Sequence, residues 1–512
     1  MNIAQHVERN RGRFPHQNAL TFEGKTYTYV GLDELANRAA NGLRGLGVAR
    51  GDRVALFLPN IPEFIFCYLG ALKIGAVVVS VNAMLKRDEV RFILEDSGAV
   101  ALVTTAGLVD QVPEGGVGAL RHIVIAEGVS ARGVALDTLM GRSSSYARAA
   151  AMHRDDPAAI VYTSGTTGFP KGATLSHGNV ISCMAAKNTY CQTRPHDRLL
   201  LTLPLFHCFG QNAILNNGLN AGATIVLQRR FDPERTLAAI GEDNVTMMFG
   251  VPTLFIKLLE LRPDRRTFQS VRYFFTAGAP MPPWVVEQWR HIYGALIYEG
   301  YGLTETSPFA SYNHASEYRA GSVGTPISHV EMRVVGDDGQ PLPPGERGEI
   351  VVRGPNVMLG YWNRPDATAA VIRDGWFHTG DIGTVDEQGY FYVLDRLKDM
   401  INVSGFKVYP AEVEAVLGQH NAVAEAAVYG LPDSVRGEAV HASVVLRPGY
   451  TTDADDLLGF CRHHIAGFKV PQSVRFVQAL PKNATGKVLR RQLRQDEPEQ
   501  AAVPLLAREG SA

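Results

Sequence analysis

Residues 158–172 read AAIVYTSGTTGFPKG, and the order of residue types within this stretch decides the fold class. AAIVYT (158–163) is a short β-rich apolar run, the pattern of a strand buried on both faces. It opens directly into Thr163-Ser164-Gly165-Thr166-Thr167-Gly168-Phe169-Pro170-Lys171-Gly172. The glycines allow close backbone approach. The hydroxyls of Thr163, Ser164, Thr166 and Thr167 and the backbone N–H groups can donate to phosphate oxygens, and Lys171 adds a positive charge. A loop at the end of a strand is where ligands gather in α/β folds. It is not a Walker A loop, which needs a glycine immediately before the lysine, where this chain has Pro170.

Outward from this loop the α/β pattern continues. The runs VALFL (54–58), AVVVSV (76–81), AVALVTT (99–105) and HIVIA (122–126) alternate with helical patterns such as EFIFCYLGALKIG (63–75). Such alternation predicts parallel sheets with helical crossovers. Thr28 to Gly47 is expected to be a helix, with Leu32, Leu35, Ala36, Ala39, Leu43 and Leu46 on one face, Thr28 as N-cap and Gly47 as its stop. Residues 141–157 are polar and weakly patterned, as in a connector. The α/β alternation runs to about 330, and EMRVVGDDGQPLPPGERGEIVVRG (331–354) then turns to short strands and Gly/Pro turns. From LDRLKDMINVSG (394–405) a second, smaller α+β unit follows.

The bulk composition excludes several function classes. The 512 residues carry 50 Lys and Arg against 51 Asp and Glu, so no global basic field attracts nucleic acid. Cys67, Cys183, Cys191, Cys208 and Cys461 include no C-x-x-C pair, which argues against a zinc site or disulfide framework and fits a reducing cytoplasm. The first residues lack an apolar signal region, and Pro59, Pro62, Glu63 and Lys73 interrupt the most apolar stretch, so no membrane span is expected.

TSGTTGFPKG (163–172) resembles the signature loop of the acyl-adenylate-forming superfamily, and four further segments follow in the family's order. They are YEGYGLTE (298–305), GWFHTGD (375–381), DRLKD (395–399) with NVSGF (402–406), and PKNATGK (481–487). The resemblance spans roughly residues 10–495 and lies nearest the fatty-acid–CoA ligases. It implies an α/β fold: a large N-terminal domain, residues 1–396, of two parallel-sheet α/β subdomains plus a β-rich subdomain. A smaller mobile α+β domain, residues 397–495, and a flexible tail, residues 496–512, would follow.

The resemblance also implies roles. ATP and Mg2+ would be held by the loop Thr163–Gly168 with Lys171, by Gly278, Ala279 and Pro280, and by Glu299, Gly300, Tyr301 and Gly302. Tyr301 would lie against adenine, Thr304 would meet phosphate, and Glu305 and Thr166 would meet the metal. Asp381 and Arg396 match the ribose ligands, Lys398 the hinge and Lys487 the catalytic lysine of the mobile domain. CoA would meet Ser404, Gly405 and Phe406, with Arg436, Phe468 and Lys469 near its nucleotide end. Because carboxylate and ATP are both anionic, their approach needs cations such as Mg2+, Lys171 and Lys487.

The segments expected around the acyl group are 204–210, 249–252, 277–280 and 307–309; Phe206, His207, Phe209, Val251, Gly278 and Pro308 from them, together with Gly302, would contact it. His207 would pack beside the carboxylate. These segments carry no Arg, Lys or Asp, so a neutral hydrophobic acid is expected: a medium- or long-chain fatty acid first, an aryl acid second. Cys208 reads as a small wall residue and His463-His464 as a helix surface. An acceptor carrier protein in place of CoA, a homodimer and a catalytically dead scaffold are left open; the lack of an insertion between Asp399 and Pro410 favours CoA.

Overall fold

The computed structural model describes residues 1–163, 170–404, 406–433, 435–483 and 486–496, with Lys398 described by its backbone alone. The chain divides into two compact units, Met1–Val393 and Leu394–Ala512.

The first unit carries two large sheets. In one, Arg53–Phe57, Val77–Ser80, Ala99–Thr105, His122–Glu127 and Pro157–Thr163 run parallel. Their largely apolar character follows from burial on both faces: every residue of Val77–Ser80 and Ala99–Thr105 is buried. One edge departs from the parallel expectation. Lys171–Ser176 returns antiparallel to Pro157–Thr163, and Gly360–Tyr361 adds antiparallel to it. The segment between Thr163 and Lys171 is too short for a helical crossover, which parallel pairing would require.

The second large sheet has parallel strands Asn18–Phe22, Thr224–Leu227, Arg198–Leu201, Met247–Gly250, Tyr273–Thr276 and Ile297–Tyr301. Short antiparallel strands finish both edges. A third, antiparallel sheet includes Glu331–Val335, Gly348–Arg353 and Trp376–Val385, the expected β-rich part.

The helix expected after Thr28 spans Tyr29–Gly45, and the Gly31 N–H donates to Thr28 Oγ1 at 3.1 Å. It packs tightly on the helix Pro62–Lys73. A Cβ on Gly70 would stand 2.8 Å from that of Ala39, so a side chain there would push the helices apart.

Residues 141–157 are more than a connector. Ala147, Ala149 and Met152 are buried, Asn37 Nδ2 donates to the Ser145 carbonyl at 2.9 Å, and the Ala149 N–H donates to Glu8 Oε1 at 2.8 Å. Below this strap the fully buried Lys73 pairs with Glu8 and Asp33, each at 2.7 Å.

The second unit has its own sheet, with antiparallel strands Phe406–Val408, Ile401–Val403, Gly437–Leu446 and Val423–Asp433 and a parallel Ser473–Phe476. Helices Pro410–Leu417 and Ala454–His464 cover a core that includes Val413, Leu417, Val428, Val444 and Leu457. His463 and His464 lie exposed at a helix end. Among the described residues no helix is long and apolar enough to cross a membrane.

Candidate active site

Antiparallel pairing of Pro157–Thr163 with Lys171–Ser176 brings Thr163 opposite Lys171, and Thr163 Oγ1 donates to the Lys171 carbonyl at 3.4 Å. Ser164, Gly165, Thr166, Thr167 and Gly168 lie outside the described residues. Lys171 is half-buried, its ammonium 5.2 Å from the ring centroid of Tyr361. The same tyrosine donates its hydroxyl to Glu305 Oε1 at 2.8 Å. Glu305 is buried, and its carbonyl accepts from the Met358 N–H at 2.8 Å. Tyr361 thus ties together the two expected phosphate-side groups, Lys171 and Glu305. Nothing in its local sequence marks it; only the pairing of Gly360–Tyr361 with Lys171–Ser176 places it there.

Four residues before Glu305, Tyr301 ends the strand Ile297–Tyr301 and donates its hydroxyl to Asp381 Oδ2 at 2.8 Å. Both are buried. The carboxylate expected to meet ribose therefore lies beside the ring expected to meet adenine. Glu299 is also buried, and desolvation pushes its carboxyl up to about 7.

Two glycines here are steric requirements. A Cβ on Gly300 would stand 2.4 Å from the Phe275 ring, and one on Gly302 would stand 2.0 Å from the Pro308 carbonyl oxygen. Gly302 and Pro308 are thus brought together, as are Gly278 and Val251, where a Cβ on the glycine would stand 3.7 Å from Val251 Cγ1. Gly278, at φ 88, starts a solvent-facing loop continued by Ala279 and Pro280.

Thr304 Oγ1 lies 3.4 Å from Cys208 Sγ, joining the magnesium-side segment to the acyl-side segment. Burial pushes the Cys208 thiol up to about 12, so it is not a thiolate nucleophile at neutral pH. Phe206 and His207 are half-buried. His207 Nδ1 accepts from the Phe209 N–H at 3.2 Å, and burial lowers its pKa to about 4, leaving it neutral.

Phe209 opens a π-helix, Phe209–Asn216, and is buried in an aromatic cluster, edge-on to Phe275 at 6.1 Å and to Phe309 at 5.5 Å. The uncharged surroundings expected from the acyl segments need correction. The helix His177–Cys191, outside those segments, carries Lys187 inward until its ammonium lies 4.2 Å from the Phe249 ring centroid.

The second unit arranges its own candidate residues. Asp395 accepts from the Ala411 and Arg396 N–H groups, each at 2.7 Å, and Arg396 is half-buried. Lys398 lies in the turn Leu397–Asp399, and Gly405 is outside the described residues. The Ser404 N–H donates to the Arg436 carbonyl at 2.7 Å. Exposed Phe406 stacks on Phe468, ring centroids 4.8 Å apart. Ser404, Phe406, Arg436 and Phe468 therefore share one edge of this unit, where Lys469 Nζ also pairs with Glu412 at 2.6 Å. Lys487 is half-buried in a loop closed by its N–H donating to Asn483 Oδ1 at 2.8 Å.

Residues 7–362 match the AMP-binding enzyme family and residues 412–487 match the AMP-binding enzyme C-terminal domain. The chain belongs to the AMP-binding enzyme family. It is an ATP-dependent acyl-CoA synthetase working through an acyl-adenylate. A feruloyl-CoA synthase of an Amycolatopsis species is 40% identical over 488 residues, covering 94% of this chain and 96% of the relative. A long-chain-fatty-acid–CoA ligase of Bacillus subtilis is 35% identical over 521 residues, covering 95% and 93%. The crystal structure of the anthranilate CoA ligase AuaEII with anthranoyl-AMP superimposes with a TM-score of 0.91 at 30% identity, covering 97% of both chains.

Among the described residues no group of three His, Cys, Asp or Glu could hold a metal by itself. Glu305, a single carboxylate fixed by Tyr361, fits Mg2+, which takes one or two protein carboxylates and completes its shell with phosphate oxygens and water. The second expected metal contact, Thr166, lies outside the described residues.

Proposed function

We propose that this synthetase activates an aryl or arylalkenyl carboxylic acid with ATP and transfers the acyl group to CoA. In the first step a carboxylate oxygen bonds to the α-phosphorus of ATP and pyrophosphate leaves. In the second the CoA thiol, losing its proton, bonds to the acyl carbon and AMP leaves. The observation that carries this reading is the corner around Ile297–Tyr301. Tyr301 there meets Asp381, and Glu305 is tied through Tyr361 to Lys171, so groups suited to adenosine and to phosphate stand side by side.

Lys171 would draw the phosphates in, and bound Mg2+ would neutralise their charge at Glu305. Lys487 would supply a further cation to adenylation, with Arg396 on the nucleotide and Lys398 as the hinge of the second domain. The exposed Phe406–Phe468 edge, with Ser404 and Arg436, would meet CoA. Five cysteines, all buried and unpaired, suit work in the cytoplasm.

The acid is placed with the aryl class ahead of the fatty acids, reversing the order expected from sequence. Two features support this: the packed rings of Phe209, Phe275 and Phe309, and an amino-acid identity to the feruloyl-CoA synthase slightly above that to the fatty-acid ligase. ATP–pyrophosphate exchange across a panel of cinnamic, benzoic and fatty acids, followed by thioester formation with CoA or with a carrier protein, tests the reading. Exchange with fatty acids alone would overturn the acid class, and thioester formed only on a carrier would overturn the acceptor.

A further inference from the structure

Among the described residues two lysines are completely enclosed, and they are treated differently. Lys73 has two carboxylates at 2.7 Å, the usual condition for a buried cation. Lys187, 1% exposed, donates to the Ala213 carbonyl and lies over the Phe249 ring, with no carboxylate within ion-pair distance among the described residues. A carbonyl and a ring satisfy part of an ammonium, which has three protons to donate. Burial accordingly lowers its pKa to about 8.

Its place is set by the sheet. Met247–Gly250 pairs with Tyr273–Thr276, and Phe249 lies opposite Phe275. The backbone of Val251 stays extended, so Phe249 and Val251 point to the same side, two residues or about 7 Å apart. Val251 adjoins Gly278, a position expected at both the nucleotide and the acyl group, which marks the activated end of the acid. Lys187 thus stands one pleat away from that end, on the wall also carrying Phe275 and Phe209.

We infer that Lys187 is a specificity-determining residue whose ammonium takes a hydrogen-bond-accepting oxygen at the far end of the acyl group, so that the preferred acid is an aryl acid with a hydroxyl on the ring position remote from its carboxylate. The inference rests on the aryl reading proposed above. A purely structural lysine, stapling the π-helix through Ala213, would leave substrate choice unaffected.

The test compares kcat/KM, read by pyrophosphate release with CoA, for para-hydroxycinnamic acid, cinnamic acid and octanoic acid in the wild type, Lys187→Met and Lys187→Gln. The wild type should favour the hydroxylated over the plain cinnamic acid by about 10- to 100-fold, since a polar pocket group left unpaired penalises the analogue lacking the hydroxyl. Lys187→Met should bring that ratio to about 1, through loss on the hydroxylated acid. Lys187→Gln, still a donor, should keep part of it. Each ratio is internal to one protein, so altered folding yield does not mimic the effect, and the glutamine variant stands in if the methionine variant fails to fold. A wild-type ratio near 1, or one that both variants preserve, overturns the role of Lys187 and leaves the aryl reading standing. Turnover of octanoic acid with neither cinnamic acid accepted overturns the aryl reading itself.

Discussion

The nucleotide corner and the acyl wall both draw on the sheet that holds Tyr273–Thr276 and Ile297–Tyr301 but are built in opposite ways. In the corner each polar side chain is held by another polar side chain: Tyr301 by Asp381, and Glu305 by Tyr361, which also underlies Lys171. The wall is held by ring contacts among Phe209, Phe275 and Phe309, with one charged group, Lys187, let in from a distant helix. The corner has to present fixed charge to phosphates, and preorganised charge is where most of the rate enhancement resides. The wall has only to present shape and one polar point. Substitutions in the corner should therefore damage chemistry with little effect on folding, and substitutions among the rings of the wall should do the reverse, Lys187 being the wall residue that acts on the choice of acid.

Phe209→Ala should show the largest effect of all, on stability. Emptying a buried ring position costs about 3–5 kcal/mol, read as a fall in the denaturant midpoint. A stable Phe209→Ala protein with only altered acid preference would show that the ring is a substrate contact and not core. Next come the corner charges. Glu305→Gln, and Lys487→Ala in the second unit, should each slow ATP–pyrophosphate exchange by about 100-fold or more while leaving the melting temperature nearly unchanged. Exchange within a factor of two of wild type would remove the residue concerned from the chemistry. Tyr361→Phe should be milder, about 10-fold, because it removes the donor to Glu305 but keeps the ring under Lys171. A raised magnesium requirement with an unaltered KM for the acid would mark the loss as one of carboxylate positioning, and a uniform fall in stability would speak against it.

How much of this was legible in the sequence follows the same division. The strands before residue 163 and the helix capped by Thr28 are encoded by local period and capping chemistry, so they could be read directly. The glycines of YEGYG (298–302) were singled out by the resemblance, and no Cβ fits at Gly300 or Gly302. Tyr361 and Lys187 were not. Each acquires its place through a long-range contact: an edge strand pairing across most of the unit in one case, a helix packed on a π-helix in the other. The strap at residues 141–157 was obscured for a related reason, since its order comes from Asn37, Glu8 and Lys73, far away in the chain.

The smallest effect concerns pH, and it separates site from core through three histidines. Burial lowers His6, His177 and His207 each to about 4 from an ordinary value near 6.5. Between those values the unfolded chain binds protons that the folded chain refuses, so folding stability should fall as pH drops from about 6.5 to 4 and level off above. His177 is the clearest contributor, because its Nδ1 accepts the Ile3 N–H at 3.2 Å and would lose that bond on protonation. His177→Asn, measured by melting temperature against pH, should flatten this slope even if it lowers the plateau. His207 should add to the same slope yet contribute no step of its own to the pH profile of kcat/KM between pH 6 and 8, since it is already neutral there. A profile in that range that disappears in His207→Asn would instead make the imidazole a titrating partner of the substrate carboxylate, and would move His207 from the wall to the charged corner.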